Sequence, residues 1–466
     1  MKSICLINPP SPFLMDEKVF IPLGILRVAA SLENYGYRVY VLDLAGTTDW
    51  KHCVDERVPE YDIVGFSSTT PQIPIVSKIA QYIRATFVKP LVLGGPHATV
   101  VIGACKKSPK RSSSKRAKGE LKRLQKIFDY IVCGDGELAI LDILQGLDQQ
   151  IVDSELHAKW FLTDEKYDKL PLPARHLIDM NSYHYTIDGE RATNVICQMG
   201  CPFGCNFCSG RMSKTFRKVR SRSIQSVLKE IDFLYRTYGY KGFMFYDDEL
   251  NLNKSKFDEF LNTLISYQKK KQVKFKLRGF TRADLLTQEQ AEKMYKAGFR
   301  WLLTGFESGS NKILFNMNKK NSVKDNTRAC QLARDAGLKV KALMSIGHPG
   351  ESQSTIKETE EWLVSVRPDD FDITIISAYP GTPYFDLVEW DKPRQTWNYT
   401  HPESGDRLYL LDVDYAKDSV FYKSAPDQYE SFVFTDHLTC QDLVEERKRL
   451  EYSLKERLYG GRTRQN

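Results

Sequence analysis

Short apolar runs alternate along this chain with stretches of helical spacing. Residues 3 to 8, "SICLIN", form an apolar run closed by "PPSP". "PLGILRVAASLENYGY" follows with Leu23, Leu26 and Ala30 on one helical face and a stop at Gly36. "RVYVLDL" and "YDIVGFSSTTP" predict strands, "IVSKIAQYIRATF" a helix, "PLVLGGPHA" a strand breaking into Gly-Gly. "FDYIVCGDGE" predicts a further strand and "LAILDILQGL" a helix. Strands that alternate with helices in this way predict a doubly wound, Rossmann-like parallel sheet over residues 1–150. Ligands of such sheets sit at the carboxyl ends of the strands. The loops expected there are "NPP", "SSTTP", "GGPHA" and "GDGE". They are small and polar, so a backbone can approach a large ligand closely. None is a G-x-G-x-x-G, which argues against a nicotinamide site.

Residues 151–190 are polar and contain "LPLPARHLIDM"; they read as a surface linker. A second alternation spans 191–385. Its strands are "TNVICQM", "KGFMFYDDEL", "VKFKLRGFTRADL", "FRWLLTGFESGS", "LKVKALMSIGHPGE" and "FDITIISAYPGTP". Six βα units predict a partial (β/α)6 barrel with its chemistry at the carboxyl strand ends. Asp247, Asp248, Glu249, Arg282, Glu307, Ser308, His348 and Glu351 fall at those ends. Residues 386–466 are aromatic-rich, then helical and charged, and read as a module that closes the barrel or covers the substrate. Trp390, Trp397, Tyr399, Tyr409 and Phe432 fit core packing, the commoner use, or a planar pocket.

Length suggests more than one domain and enough chain for a full core. No apolar run reaches the length of a membrane span, and the start, "MKSICLINPP", lacks the long apolar run of a signal peptide. The formal charge of +8 is local: residues 106–126 hold ten Lys or Arg and one Glu, so that segment carries +9 and the rest sums to −1. Its Ser- and Lys-rich first half reads as a solvated loop inserted in the first domain, with an anion- or RNA-binding arm as the alternative. A charge surplus this local makes nucleic acid an unexpected partner for the chain as a whole.

Cysteine usage points to chemistry. In "CQMGCPFGCNFCSG", Cys201, Cys205 and Cys208 have the spacing C-x3-C-x2-C. A disulfide framework belongs to small secreted chains. Structural zinc usually takes four ligands in two spaced pairs, and no second C-x-x-C exists here, although Cys197 is a possible fourth thiolate. Three thiolates suit an iron–sulfur cluster with one iron left open. Cys5, Cys53, Cys105, Cys133, Cys330 and Cys440 are scattered and read as structural. Unpaired cysteines and a cluster fit a reducing, cytoplasmic compartment.

These motifs, with an aromatic Phe207 before the third cysteine and "FYDDEL", "FTRADLL", "GFESGS", "IGHPGE" and "YPGTP" in order, resemble the radical S-adenosylmethionine (radical SAM) superfamily. The segment with "INPP", "GGPHAT" and "GDGE" resembles the cobalamin-binding domain fused to one branch of it; together the resemblance covers about residues 1–385. It implies a [4Fe–4S] cluster on Cys201, Cys205 and Cys208. It implies S-adenosylmethionine on the open iron and a 5′-deoxyadenosyl radical that takes hydrogen from an unactivated carbon. It suggests Asp247, Asp248 and Glu249 for the methionine ammonium, Arg282 for its carboxylate, and Glu307 and Ser308 for the ribose. Cobalamin contacts are expected at Ser67, Ser68, Thr69, Gly94, Gly95, His97, Gly134 and Glu137. No D-x-H-x-x-G offers cobalt a lower histidine. Met199 stands where many relatives have an Arg. The leading expectation is cobalamin-dependent methylation of a small molecule, with a reductant such as flavodoxin or ferredoxin. The alternatives are cyclisation, ring contraction, coupling or oxidation without methyl transfer, and a non-catalytic cobalamin or redox sensor. His348 is a lesser candidate for acid–base work.

Overall fold

The computed structural model describes residues 2–107, 113–415, 417–421 and 429–460. The first domain is a six-stranded, all-parallel sheet. Its strands lie in the order Arg38–Asp43, Ser3–Asn8, Ile63–Ser67, Leu91–Gly94, Tyr130–Cys133, Ile151–Asp153. The order reverses between Ser3–Asn8 and Ile63–Ser67, so this is a doubly wound sheet whose switch point lies between its first and third strands. Apolar side chains leave both faces, which explains runs such as "CLIN" without alternation. Cys5, Ile7, Val64 and Phe66 bury against one helical layer, and Ile4, Leu6 and Ile63 against the other. The sheet includes Ile151–Asp153, so it runs past residue 150 into the expected linker.

The basic segment differs from its expected form. Residues 108–112 lie outside the described residues, but Ser113–Ile127 is a helix. Ala117, Leu124 and Ile127 are buried, with Leu121 packed beside them. Their spacing is helical, and the surrounding lysines obscure it.

The second domain matches the six expected units. Strands Glu190–Val195, Gly242–Phe245, Lys276–Phe280, Phe299–Glu307, Lys339–Ile346 and Asp370–Ile375 pair in parallel in chain order, forming a curled half-barrel. A short antiparallel strand, Thr186–Ile187, is added from the linker. Phe243, Phe245, Phe275 and Phe299 point outward and pack edge-on or stacked beneath the helices. Among the described residues, no helix is long and apolar enough to cross a membrane.

The C-terminal module is a four-stranded antiparallel sheet of Val388–Asp391, Thr396–Thr400, Arg407–Leu410 and Val433–Thr435. A helix follows, Cys440–Lys448, continuing through a π-helical stretch into Lys455–Tyr459. The aromatic residues mostly pack together: Tyr399 against Tyr384, Tyr409 stacked on Phe434, Phe432 against Phe421. This module seals the open edge of the half-barrel with side chains. The Ile373 N–H donates to Glu451 Oε2 (2.5 Å), the Ile375 N–H to Tyr429 Oη (2.8 Å), and Lys455 Nζ donates to the Phe371 carbonyl (2.6 Å). Edge strands need such cover. We predict that Glu451→Leu, which strands the buried Ile373 N–H, costs about 1–3 kcal/mol. Denaturant melts of the variant check this; an unchanged midpoint contradicts the edge-sealing role.

Candidate active site at the barrel rim

The cysteine loop is held by the barrel rather than by itself. Gly200 has φ +95°, and a Cβ there would lie 2.3 Å from the Lys218 carbonyl, so only glycine turns the chain at this point. The Cys201 N–H donates to the Phe216 carbonyl (2.8 Å), the Asn206 N–H to the Met317 carbonyl (2.8 Å), and Asn318 Nδ2 to the Gly204 carbonyl (2.7 Å). Arg211 and Arg217 donate to the carbonyls of Gly204 and Phe203. The three thiols share a neighbourhood but do not lie within 4.8 Å of one another; among the described residues only Cys133, Asp153 and Glu155 do. Cys197 is separate: its thiol side lines a pocket of about 420 Å³ with Ile224, Phe257 and Phe260, under the outer helices.

The acidic triplet divides its work. Asp247 is buried, and both its oxygens accept backbone amides of the loop entrance, Gln198 N–H (2.6 Å) and Cys197 N–H (3.1 Å). Burial nevertheless pushes its pKa up to about 7. Asp248 accepts the Gly200 N–H (2.7 Å). Glu249 Oε2 is buried without a hydrogen-bond partner. Burial drives its pKa up to about 7, against the pull of Lys319 and Arg282. A buried carboxylate oxygen without a partner, beside the cysteine loop, is available to accept a cationic group. Asp247→Asn should therefore release the loop entrance and lower the iron retained per chain at least severalfold, read by iron analysis after anaerobic purification; full iron content would sink this assignment.

Arg282 is already spoken for. It lies 3.6 Å over the Phe203 ring, pairs with Asp284 (2.7 Å) and donates to the Lys319 carbonyl. Lys319, which lies in no recognisable motif, is the buried cation nearest to Glu307. Its buried ammonium lies 3.0 Å from Glu307 Oε1, and the field of Glu307, Cys205 and Glu249 raises its pKa despite burial. Glu307 has φ +67°, a conformation non-glycine residues seldom adopt, beside an irregularity in strand register. Gly305 makes room for the returning carboxylate, since a Cβ there would sit 2.6 Å from Glu307 Oε1. The Ser345 hydroxyl joins Glu307 Oε2 (3.0 Å) to His348 Nε2 (2.8 Å), and His348 Nδ1 meets Tyr384 Oη (3.3 Å). Burial, then Lys319, lowers the His348 pKa to about 3, which favours a neutral imidazole in this network. Ser308 faces away from the rim: it is buried, its hydroxyl lies 3.2 Å from Thr359 Oγ1, and it accepts the Ser310 N–H. Glu351 is also structural, closing its own turn onto Thr355 and the Gly347 N–H.

At the first domain's strand ends, the expected residues separate into two groups. Ser67, Ser68, Thr69, Gly94 and Gly95 lie at the carboxyl ends of the strands Ile63–Ser67 and Leu91–Gly94. The Ser68 N–H donates to the Gly94 carbonyl, and Gly95 (φ +94°) could not carry a Cβ, which would lie 2.6 Å from the Ser68 nitrogen. In the loop after the first strand, Leu14 and Met15 stand exposed, Met15 by 84%. Gln72 ties this segment to Ser11 (2.9 Å). The other three are engaged elsewhere. His97 is fully buried, with Nδ1 on Thr70 Oγ1 (3.1 Å) and Nε2 on Glu120 Oε1 (2.9 Å), so no ring nitrogen is free for a ligand. Glu137 pairs with Arg27 (2.9 Å). Gly134 abuts Thr215, with a hypothetical Cβ 2.7 Å from its hydroxyl. His97→Ala is expected to leave corrinoid retention unchanged; its loss in dialysis would restore His97 as a contact.

Comparison with known proteins settles the class. Residues 195–363 match the family model of the radical SAM superfamily, and residues 17–107 that of the B12 binding domain. The chain belongs to the cobalamin-binding branch of the radical SAM superfamily. The radical SAM domain brings a [4Fe–4S] cluster and S-adenosylmethionine, and the B12-binding domain brings cobalamin. The chain is 26% identical over 400 residues to an uncharacterized methyltransferase of Pyrococcus horikoshii, covering 81% of each chain. It is 23% identical over 434 residues to the anaerobic magnesium-protoporphyrin IX monomethyl ester cyclase of Synechocystis, covering 85% of this chain and 82% of that one. Its fold is similar to that of the radical S-adenosylmethionine methyltransferase TsrM from Kitasatospora setae, solved with cobalamin and a [4Fe–4S] cluster. The TM-score is 0.65 at 18% identity, over 82% of this chain and 74% of that one.

Proposed function

We propose that this radical SAM enzyme methylates an unactivated carbon of a small molecule, with cobalamin as methyl carrier. The observation that carries this reading is the way the two cofactor domains are locked together. The segment that follows the cluster cysteines is clamped onto the strand ends of the B12-binding domain. Arg220 pairs with Asp135 (2.5 Å), both buried. Glu155 accepts the Ser213 hydroxyl and the Thr215 N–H (3.0 Å), and Lys106 pairs with Glu155 (3.0 Å). A domain kept only as a spacer would not need buried ion pairs at the cluster loop, because such pairs are costly to build.

Bound together, the cluster and S-adenosylmethionine supply a 5′-deoxyadenosyl radical, and cobalamin supplies the methyl group. The protein binds and orients. Glu249 accepts the methionine ammonium through its orphaned oxygen. Lys319 meets the methionine carboxylate, in place of Arg282. Glu307, held by Ser345, offers its carboxylate to the ribose hydroxyls. The rim network of Ser345, His348 and Tyr384 keeps this wall rigid and shields it from water. A small acidic flavodoxin or ferredoxin supplies the electron.

A second reading, ring formation without methyl transfer, draws on the similarity to the cyclase. The deciding experiment begins with corrinoid content after anaerobic expression with hydroxocobalamin. It continues with turnover using S-adenosylmethionine deuterated at its methyl group. Near-stoichiometric corrinoid, with 5′-deoxyadenosine and S-adenosylhomocysteine formed together, supports methylation. Absence of corrinoid, or 5′-deoxyadenosine without S-adenosylhomocysteine in the presence of substrate, favours the second reading.

A further inference from the structure

The helix Ser113–Ile127 concentrates the chain's surplus charge and lies close to the cluster loop. Its inner face is fully committed. Glu120 holds His97 (2.9 Å) and Arg123 (2.5 Å). Arg116 lies over Phe385 (4.2 Å) and Trp397 (5.0 Å) and pairs with Asp412 (3.3 Å). The helix is thus fixed to the first domain on one side and to the C-terminal module on the other. Its outer face is different. Lys115, Lys118, Lys122 and Lys126 are all exposed, at spacings of three and four residues. They form one stripe about 16 Å long at 1.5 Å per residue. The helix packs on Pro96–Lys107. That helix's Gly103 in turn lies against Met212, in the turn that follows Cys208; a Cβ at Gly103 would be 3.7 Å from the Met212 carbonyl carbon.

We infer that this lysine stripe is the docking platform for the acidic protein that reduces the cluster. The inference rests on the radical reading above. An ordered row of like charges, one helix removed from a redox centre, suits electrostatic steering of an oppositely charged partner. The composition favours a protein over a nucleic acid. Both arginines of the described helix turn inward, and the stripe carries no aromatic ring on which a base could stack. Lysines alone give a field without bidentate recognition, which fits a transient electron-transfer encounter.

The test compares two reductants on one protein. Formation of 5′-deoxyadenosine from S-adenosylmethionine is followed with a purified acidic flavodoxin and its NADPH-dependent reductase, and separately with titanium(III) citrate. In Lys115→Glu/Lys118→Glu/Lys122→Glu/Lys126→Glu, the flavodoxin-driven rate at low salt is expected to fall about tenfold or more, within the usual range of steering effects. The titanium-driven rate is expected to stay at the wild-type value. The fourfold Lys→Gln variant should fall between the two, and rising salt should slow the wild type toward the variants. Equal rates with flavodoxin, or equal losses with both reductants, overturn the inference. Tight RNA binding at physiological salt, lost in the variant while flavodoxin-driven turnover is kept, would assign the stripe to nucleic acid instead. No titanium-driven product in the wild type would instead count against the radical reading itself.

Discussion

Cys205→Ala is expected to purify with iron reduced from about four per chain to near zero, since a [4Fe–4S] cluster cannot be held on two thiolates of this loop. S-adenosylmethionine would then remain intact under every reductant, with no 5′-deoxyadenosine above background. Cys205 is the most enclosed of the three, near Lys319 and within a loop pinned by Asn206 to Met317. Its loss removes the ligand with the least freedom to be replaced by a neighbour. Cys197→Ala is the matched comparison. Cys197 lines the separate pocket, and its backbone amide is what Asp247 holds. It should keep full iron. Iron loss in Cys197→Ala alongside retention in Cys205→Ala would invert the ligand assignment.

Lys319→Met carries the second large effect. Removing the ammonium leaves Glu307 as a buried carboxylate with only Ser345 beside it, a situation that costs about 3–5 kcal/mol when one partner of a buried pair is deleted. A lower unfolding midpoint and weaker S-adenosylmethionine binding are both expected. The double variant Lys319→Met/Glu307→Gln separates the two. Neutralising the carboxylate should return most of the stability, because no unpaired charge remains. Affinity for S-adenosylmethionine, measured by equilibrium dialysis on cluster-loaded protein, should stay at least tenfold weaker than that of Glu307→Gln alone, a loss of about 1.4 kcal/mol. If the double variant binds as tightly as Glu307→Gln alone, Lys319 is a structural counter-ion only.

Much of the architecture could be read from the chain because strand and helix periodicities differ so clearly. All six barrel strands fell where short apolar runs alternate with helical segments, and their carboxyl ends gathered the acidic triplet, Glu307 and the cysteine loop on one rim. What stayed hidden was which neighbour each side chain would find. Asp247 and Arg282 stand at the right strand ends, yet backbone amides and Asp284 claim them. Lys319 sits in "FNMNKKNS", a stretch with no motif, and reaches the thiols because the chain turns through left-handed Asn318 and Lys320. That pair of turn residues was the available signal. The basic helix was missed because six cations among Ser113–Ile127 outweigh its few buried apolar positions in any composition-based reading.

The sealed edge of the half-barrel also constrains how the molecule is made. The groups that cover strand Asp370–Ile375 come from Tyr429, Arg447, Glu451 and Lys455, all later in the chain. A ribosome therefore releases the last barrel strand well before its cover. In that interval the strand is a free template for a neighbouring nascent chain. Translation speed across this stretch, and any chaperone that guards it, would govern how much enzyme reaches the state able to accept its cluster.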